Sequence, residues 1–184
     1  MRLFIAVYIH EDISRNLKDI ISNLKKTGAD IKWVKPESIH ITLKFLGETD
    51  EKKLLEITSA IESLGIKKSG LEVEVKGIGF FPDKKRPRVV WAGLQENTPF
   101  LAESASKIDS AMGTLGFERE NRHFSPHLTI GRFRSNRGLT MLIDETEKMK
   151  TSSFGSFPIR EFNLYSSTLK PSGAEYKILR SFKL

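Results

Sequence analysis

Apolar residues recur at spacings of three and four residues in four segments of the chain. This period predicts amphipathic helices whose apolar stripe faces a core, over residues 13–24, 54–64, 101–115 and, more weakly, 139–149. Gly28, Gly65 and Gly116 follow the first three segments as stop signals. Asp50 is a candidate cap for the second helix, and Thr98 followed by Pro99 is a start signal for the third.

Strand patterns lie between these helical segments. Short runs rich in apolar and β-branched residues predict strands at 3–8, 39–46, 71–81, 89–94, 127–133, 159–168 and 176–182. In the third run the apolar positions alternate up to Val75 and then change parity at Ile78. Gly77 stands at the change, which predicts a β-bulge there.

The order of elements occurs twice. Strand, helix, strand, helix and long strand run from residue 3 to 81, and the same order runs from 89 to 168, at an offset near 86 residues. Alternating strands and helices favour an α/β or α+β class. We therefore expect one bilobal domain over 1–184, built from pseudo-repeats at about 1–82 and 87–184.

Composition excludes several kinds of protein. The chain has no cysteine, so disulfide frameworks, thiolate metal sites and cysteine nucleophiles are ruled out, and a reducing, cytoplasmic location is expected. No apolar run is long enough to span a membrane, and the seven-residue run 3–9 is read as a first strand. The net charge of +7 is spread over both halves, which fits either a polyanionic ligand or a basic surface without a partner.

Two of the four histidines occur in matching contexts. HITLKFLG begins at His40 and HLTIGRF begins at His127, so both copies read histidine, apolar residue, threonine, apolar residue. The two histidines lie 87 residues apart, close to the offset of the repeat. The copies should therefore occupy equivalent places in the two lobes.

Strand alternation assigns these side chains to faces. It places His40 and Thr42 on one face of their strand, and it places His127 and Thr129 on one face of theirs. The opposite, core-directed faces receive two sets, which are Ile39, Ile41, Leu43 and Phe45 in the first copy and Leu128, Ile130 and Arg132 in the second. If the lobes face each other, two imidazoles and two hydroxyls meet in one cleft.

Such a group suits displacement at a phosphodiester. Imidazole titrates near neutral pH, so one histidine can accept a proton from a nucleophile while the other donates to a leaving oxygen. The threonine hydroxyls can donate to the non-bridging oxygens. Two alternatives are buried structural histidines and a metal site, although threonine is a poor ligand and neither motif core contains a carboxylate.

The residues also carry a family resemblance. HITLKFLGE and SPHLTIGRF resemble the paired signatures of the two-histidine phosphoesterase superfamily. RLFIAV, WVKPESIHITLKFLGE, FPDKKRPRVVWAGL and LYSSTL are similar to segments of its RNA 2′,3′-cyclic phosphodiesterase branch, also called 2′-5′ RNA ligase. The similarity covers nearly the whole chain.

The resemblance implies both a fold and an activity. The implied fold is α+β, duplicated and bilobal, with two pseudo-symmetric antiparallel-rich sheets and outer helices around a central cleft. The implied reaction opens a terminal 2′,3′-cyclic phosphate of RNA to a 2′-phosphate without a metal or cofactor, and some members also join RNA ends through reversible 2′-5′ ligation. The partner would be RNA ending in a cyclic phosphate, tRNA fragments included, bound by a monomer.

The resemblance further implies roles for individual residues. His40 would be the proton donor and His127 the proton acceptor, although the near-symmetric sequence does not choose between them. Thr42 and Thr129 would hold the phosphate, and Arg132 would contact it despite its core-side parity. Phe124 is a candidate for stacking on a nucleobase or for core packing. A non-catalytic RNA-end-binding module and a phosphoesterase for a small cyclic nucleotide derivative are the alternative functions.

Overall fold

The computed structural model describes residues 1–96, 99–170 and 173–184. It contains four helices, at Glu11–Lys25 (α1), Leu54–Ser63 (α2), Phe100–Thr114 (α3) and Leu139–Lys148 (α4), as the periodicity predicts. Asp50 caps a 3-10 turn that leads into α2. Thr98, the predicted start of α3, lies outside the described residues. Near the start of α3 the Leu101 amide donates to the Glu96 carboxylate at 3.0 Å.

Nine strands occur in the described part of the chain. They are Arg2–Tyr8 (β1), Ile31–Trp33 (β2), His40–Glu48 (β3), Glu72–Phe81 (β4), Val89–Glu96 (β5), His127–Phe133 (β6), Ser153–Pro158 (β7), Glu161–Lys170 (β8) and Gly173–Lys183 (β9). The sequence pattern missed β2 and β7. Both are short edge strands with one hydrogen-bonded neighbour, so their pairing depends on a distant strand more than on their own residues. The bulge predicted at Gly77 is confirmed, with Gly77 at a φ of 70° between the Val75 and Ile78 pairs.

All strand pairs are antiparallel and form two sheets. Sheet A has the order β3-β1-β8-β9, and sheet B has the order β2-β6-β5-β4-β7. The α+β class with two antiparallel sheets is confirmed. The sheets do not coincide with the two halves of the sequence, because β4 pairs with β5 in sheet B and β8 pairs with β1 in sheet A.

The helices are distributed in the same crossed manner. The N-terminal helix α1 contacts β7 and α4 beside sheet B, and α3 contacts β3 and α2 beside sheet A. Apolar side chains from both sheets and the helices merge into one continuous buried cluster. Phe4, Ala6 and Tyr165 form a separate small cluster on the other face of sheet A, the face that looks into the cleft.

A buried ion pair ties β3 to α3. The Lys44 ammonium, which is 3% exposed, donates to the Asp109 carboxylate at 2.7 Å and to the Glu118 carbonyl. Asp109 also accepts from the Arg119 guanidinium at 2.8 Å and from the Glu120 amide at 3.0 Å. Burial raises the pKa of the Asp109 carboxyl, but these donors together hold that pKa below its ordinary value. The network therefore joins the strand that begins at His40 to the segment that leads into β6.

We expect Asp109→Ala to lower the free energy of unfolding by about 3–5 kcal/mol, because it leaves the Lys44 ammonium buried without its counter-ion. Urea unfolding measures the loss. The matched control is Glu62→Ala, which removes an exposed pair to Arg180 and should cost less than about 1 kcal/mol. Equal losses in the two variants would contradict a stabilising role for the buried network.

Candidate active site

The two histidine-bearing strands meet where the lobes face each other. β3 and β6 lie in contact, and His40 and His127 are the first residues of these strands. The side chains are close enough for the charge of His127 to lower the pKa of His40 and for Arg132 to act on both. The structure thus brings both predicted histidines and the predicted arginine to one place.

Matching β-bulges change which side chains enter the cleft. Leu43 has no partner across β1, and Ile130, 87 positions later, has none across β5. Over six residues from each histidine the two strands show the same burial pattern: half-buried, buried, half-buried, buried, buried, exposed. The two consecutive buried positions mark the bulge. Beyond each bulge the alternation is shifted, so Phe45 and Arg132 lie on the histidine face and are exposed.

The parity expectation was therefore wrong beyond the bulges. Phe45 and Arg132 are not core-directed, because each bulge adds one residue and reverses the faces that follow. The positions that turn inward instead are Lys44, which binds Asp109, and Gly131. A Cβ at Gly131 would lie 2.5 Å from the Ile31 side chain, so this inward position has no room for a larger residue.

The same backbone hydrogen bond orients both imidazoles. His40 Nδ1 lies 2.8 Å from the Ser38 carbonyl oxygen, and His127 Nδ1 lies 2.7 Å from the Ser125 carbonyl oxygen. Since a carbonyl oxygen only accepts, each Nδ1 carries the proton and donates it. Each Nε2 is therefore the ring nitrogen left for proton exchange with a ligand.

Local sequence sets the direction of these carbonyls. A 3-10 turn at Pro36–Ser38 ends two residues before His40. In the second copy Pro126 follows Ser125, and a residue before proline is restricted to extended backbone. The serine two positions before each histidine is a repeated signal that the sequence analysis did not use, and it extends the common motif to Ser-x-His-x-Thr.

Burial sets the protonation of the pair. It lowers the pKa of the His40 imidazole, the hydrogen bond to Ser38 opposes this, and the positive charges of Arg132 and His127 lower the pKa further. Burial also lowers the pKa of His127. The hydrogen bond that its Nδ1 donates to the Ser125 carbonyl oxygen opposes this effect, and the positive charge of Arg132 adds to it. The pKa of each ring therefore lies below the ordinary value of histidine, and an anionic ligand would raise both pKa values.

The threonines lie between the histidines and the bulges. Thr42 and Thr129 are half-buried, and each is paired across its sheet, with Ala6 and Trp91 respectively. No hydrogen bond within residues 1–96, 99–170 and 173–184 uses either hydroxyl, whereas Thr58 and Thr146 donate theirs to backbone carbonyls. Both predicted threonines are thus available to hold a ligand.

Aromatic rings surround His40. The Phe4 ring centroid lies 4.9 Å from the imidazole, and the Tyr176 ring stands edge-on to it at 5.3 Å. Burial raises the pKa of the Tyr176 hydroxyl, with the Arg132 and Arg2 guanidinium groups opposing, so Arg132 also lies near this ring. Tyr176 reaches His40 because β9 contacts the 3-10 turn that precedes β3.

Aromatic rings also support His127. Phe81 packs edge-on against the imidazole at 4.9 Å, and Trp91 lies 6.4 Å away. The Trp91 ring occupies the space above Gly79, where a Cβ would come within 2.2 Å of it. Phe124, by contrast, is partly buried and packs against the main core, so its predicted stacking role stays a prediction.

Two further observations bear on the predictions. Among the described residues no three histidine, aspartate or glutamate side chains gather into a group that could hold a metal ion. None of the helices in that part of the chain has the length and apolar character of a membrane span.

Comparison with known proteins gives a consistent result. The family described as LigT like Phosphoesterase matches residues 7–91 and again 94–176. The RNA 2′,3′-cyclic phosphodiesterase of Methanocaldococcus jannaschii is 39% identical over 182 residues, 99% of this chain and 100% of that protein. The protein of the same name from Archaeoglobus fulgidus is 37% identical over 183 residues, 100% of both chains.

Solved structures share the fold. A crystal structure from Thermus thermophilus superposes with a TM-score of 0.81 at 26% identity, covering 100% of this chain and 98% of that one. Escherichia coli LigT complexed with 3′-AMP gives a TM-score of 0.73 at 25% identity, covering 100% and 97%. With the duplicated motif, the two neighbouring imidazoles and two family matches that together span most of its length, this chain belongs to the LigT-like phosphoesterases of the two-histidine superfamily.

Proposed function

We propose that this protein hydrolyses the terminal 2′,3′-cyclic phosphate of RNA to a 2′-phosphate, with His40 and His127 as the acid–base pair and no metal. The observation that carries the proposal is the convergence of two imidazoles, both with Nε2 free, and the Arg132 guanidinium in one cleft. The names of the full-length relatives support the same substrate class.

In the proposed step a water oxygen attacks phosphorus and loses its proton to His127 Nε2. The bond from phosphorus to the 3′ oxygen breaks, and His40 Nε2 donates a proton to that oxygen. The products are a 2′-phosphate and a 3′-hydroxyl, and the two rings have exchanged protonation states. Thr42, Thr129 and Arg132 hold the non-bridging oxygens, where negative charge concentrates.

The surroundings of His40 support its role as the acid. The departing 3′ oxygen belongs to the same ribose as the base, so the nucleoside lies on the side of the general acid, and water lies opposite. Aromatic rings lie beside both histidines, but only on the His40 side are such rings exposed to a ligand, at Phe45 and Tyr176. Phe81 and Trp91 beside His127 are partly buried, so the His40 side is the one suited to a nucleoside. Joining of RNA ends would use the same groups in the same roles, with a 5′-hydroxyl in place of water, and cleavage of the resulting 2′-5′ bond would exchange those roles.

The same proposal includes the organisation of the chain. We infer one bilobal domain of two pseudo-repeats, 1–82 and 87–184. The sheet order supports this, because β4 of the first repeat pairs within sheet B and β8 of the second repeat pairs within sheet A, so neither repeat forms a sheet by itself. We also infer a cytoplasmic monomer acting on RNA ends that carry a cyclic phosphate, tRNA fragments included. The cysteine-free composition fits a reducing compartment.

An oligoribonucleotide ending in a 2′,3′-cyclic phosphate tests the activity directly. With excess chelator present, we expect conversion to a 2′-phosphate end. Phosphorus NMR distinguishes this product from a 3′-phosphate. Salt-sensitive binding without conversion would instead indicate an RNA-end-binding module. Turnover of the mononucleotide but not of the oligonucleotide would indicate a small-molecule phosphoesterase.

His40→Ala and His127→Ala should each lower kcat for the cyclic phosphate by about 10²–10⁴-fold, because each removes one proton-transfer group. Thermal unfolding should show that both variants are folded. His10→Ala and His123→Ala are matched controls, since both histidines are exposed and lie outside the two motifs. Wild-type turnover by either motif variant would remove that histidine from the mechanism.

The dependence of kcat/KM on pH should be bell-shaped, with both limbs belonging to the coupled pair. Because burial and Arg132 lower the pKa of both imidazoles, the maximum should lie below the ordinary histidine pKa of about 6.5. Initial rates between pH 4.5 and 9 locate it. A maximum well above neutral pH would mean that the free enzyme does not keep the two rings in this environment.

Arg132→Gln should lower kcat/KM by roughly 10²–10³-fold, the range for losing one donor to the developing oxyanion. It should also move both limbs of the pH profile upward, because it removes a positive charge that lowers both pKa values. Arg132→Lys keeps the charge and should leave the profile closer to that of the wild type. An unchanged profile in Arg132→Gln would place the guanidinium away from the imidazoles.

A further inference from the structure

Within the described residues, sheet B contains one strand more than sheet A. From the histidine-bearing strand outward, the order β3-β1-β8-β9 in sheet A corresponds to β6-β5-β4-β7 in sheet B. The short strand β2 remains, and it pairs with the other edge of β6. The two sides of the cleft therefore differ by a whole strand beside the second histidine motif.

A glycine just beyond the second bulge makes room for β2. Gly131 is the inward residue there, and a Cβ on it would lie 2.5 Å from the Ile31 side chain and 3.1 Å from the Trp33 ring. The equivalent inward residue of β3 is Lys44, which is buried against Asp109. The side chains of β2 thus occupy space on β6 that a long side chain fills on β3.

The additional strand brings one cation to the cleft. Lys32 pairs directly with Arg132, and residues paired across two strands lie on the same face. Arg132 lies on the histidine face, so Lys32 lies there too, and both residues are exposed. Ile31 and Trp33, on either side of Lys32, pack against the main core.

These two cations have no carboxylate partner in the described part of the chain. None of the ion pairs within residues 1–96, 99–170 and 173–184 includes Lys32 or Arg132. Asp30, the acidic residue closest to Lys32 in sequence, accepts a hydrogen bond from the Ser135 hydroxyl at 2.7 Å. Two neighbouring cations without counter-ions indicate a surface for an anionic ligand.

Lys32 lies further from the imidazoles than Arg132 does. Arg132 lowers the pKa of both histidines, and the other positive charge that acts on His40 is that of His127. Lys32 is therefore placed beside the acid–base group rather than within it. Because paired strands hold their Cα atoms about 5 Å apart, two long cationic side chains on them can bind two neighbouring phosphates.

An RNA substrate carries such a second phosphate one nucleoside away from the reacting one. We propose that Lys32, beside Arg132, binds a phosphodiester of the RNA that adjoins the reacting phosphate and is not itself cleaved. The proposal rests on the proposed function, which places the reacting phosphate at Arg132. A lysine contact to a phosphodiester carries no sequence information, so this subsite should accept every base.

The bound phosphodiester has two possible sources in RNA. One is the phosphodiester on the 5′ side of the nucleotide that carries the cyclic phosphate. The other is the first phosphodiester of a strand whose 5′-hydroxyl attacks in joining, or whose 5′ oxygen leaves when a 2′-5′ bond is cleaved. Both present the same singly charged group, so pairs of substrates must distinguish them.

Two ratios of kcat/KM test the subsite and identify the source. The first ratio compares ApA ending in a 2′,3′-cyclic phosphate with adenosine 2′,3′-cyclic phosphate. The second compares cleavage of the 2′-5′ bond in A2′p5′A3′p5′A with its cleavage in A2′p5′A. We expect Lys32→Gln to lower one ratio by about five-fold or more, because one lysine contact to phosphate is lost.

A fall in the first ratio assigns the subsite to the 5′ side of the cyclic end, and a fall in the second assigns it to the other strand. Raising the salt concentration should reduce the same ratio in the wild type and have less effect on it in Lys32→Gln. Both ratios unchanged in Lys32→Gln would overturn the proposal.

Matched variants separate this role from a structural one. Lys32→Arg keeps the charge and should keep both ratios, and Lys107→Gln removes an exposed charge on α3 and should also keep them. A lysine on an edge strand can instead prevent pairing with another chain, and that role predicts unchanged ratios in Lys32→Gln. Both limbs of the pH profile should stay in place in Lys32→Gln, whereas a shift like that of Arg132→Gln would put Lys32 in the acid–base group.

The subsite and the proposed function fail in different ways. Hydrolysis of the cyclic phosphates with both ratios insensitive to Lys32→Gln overturns the subsite and leaves the phosphodiesterase activity intact. Cleavage of none of the substrates overturns the function. Calorimetric titration with ApA carrying a terminal 2′-phosphate and with adenosine 2′-phosphate then decides the subsite. Lys32→Gln should weaken binding of the first about five-fold more than binding of the second, and equal effects would refute it.

Discussion

The geometry of the cleft depends on hydrogen-bonded strand pairs that join the two halves of the chain. β8 from the second half pairs with β1, and β4 from the first half pairs with β5. Neither half can complete a sheet without the other, so the two motifs cannot separate as independent domains would. In this arrangement β3 and β6 contact each other. Helix α1, from the first half of the chain, lies beside sheet B, and α3, from the second half, lies beside sheet A.

Within that frame, the backbone prepares the chemistry. Carbonyls at Ser38 and Ser125 bind Nδ1 of the two imidazoles, which directs both Nε2 atoms outward in the same tautomer. Bulges at Leu43 and Ile130 then present one further side chain from each strand. The carbonyl hydrogen bonds and the bulges depend on main-chain atoms and strand register. They are therefore equivalent in both copies of the motif even where the side chains differ.

The differences between the copies give the site its direction. Arg132 places a charge on one side, where it lowers the pKa of both histidines and also acts on Tyr176. Phe45, at the equivalent position, places an aromatic ring on the other side. A duplicated fold with two equal histidines thus acquires unequal surroundings, and an acid and a base need such inequality to divide their roles.

Much of this could be predicted because the relevant signals are local. Helical and strand periods located four helices and seven strands, and the parity change at Gly77 located a bulge. The repeated His-x-Thr identified His40 and His127 from residue type and spacing alone. The missed strands β2 and β7 lie at sheet edges, where pairing depends on a partner far along the chain.

Alternation along a strand is informative only while its register is regular. His40, Thr42, His127 and Thr129 precede the bulges, so their faces followed from counting residues. Phe45 and Arg132 come after the bulges at Leu43 and Ile130, and these two bulges, unlike the one at Gly77, were found only from the pairing of each strand with its neighbour. Residue identity therefore specified which groups could do the chemistry, whereas folding specified which of them share the cleft, because long-range pairing sets the register.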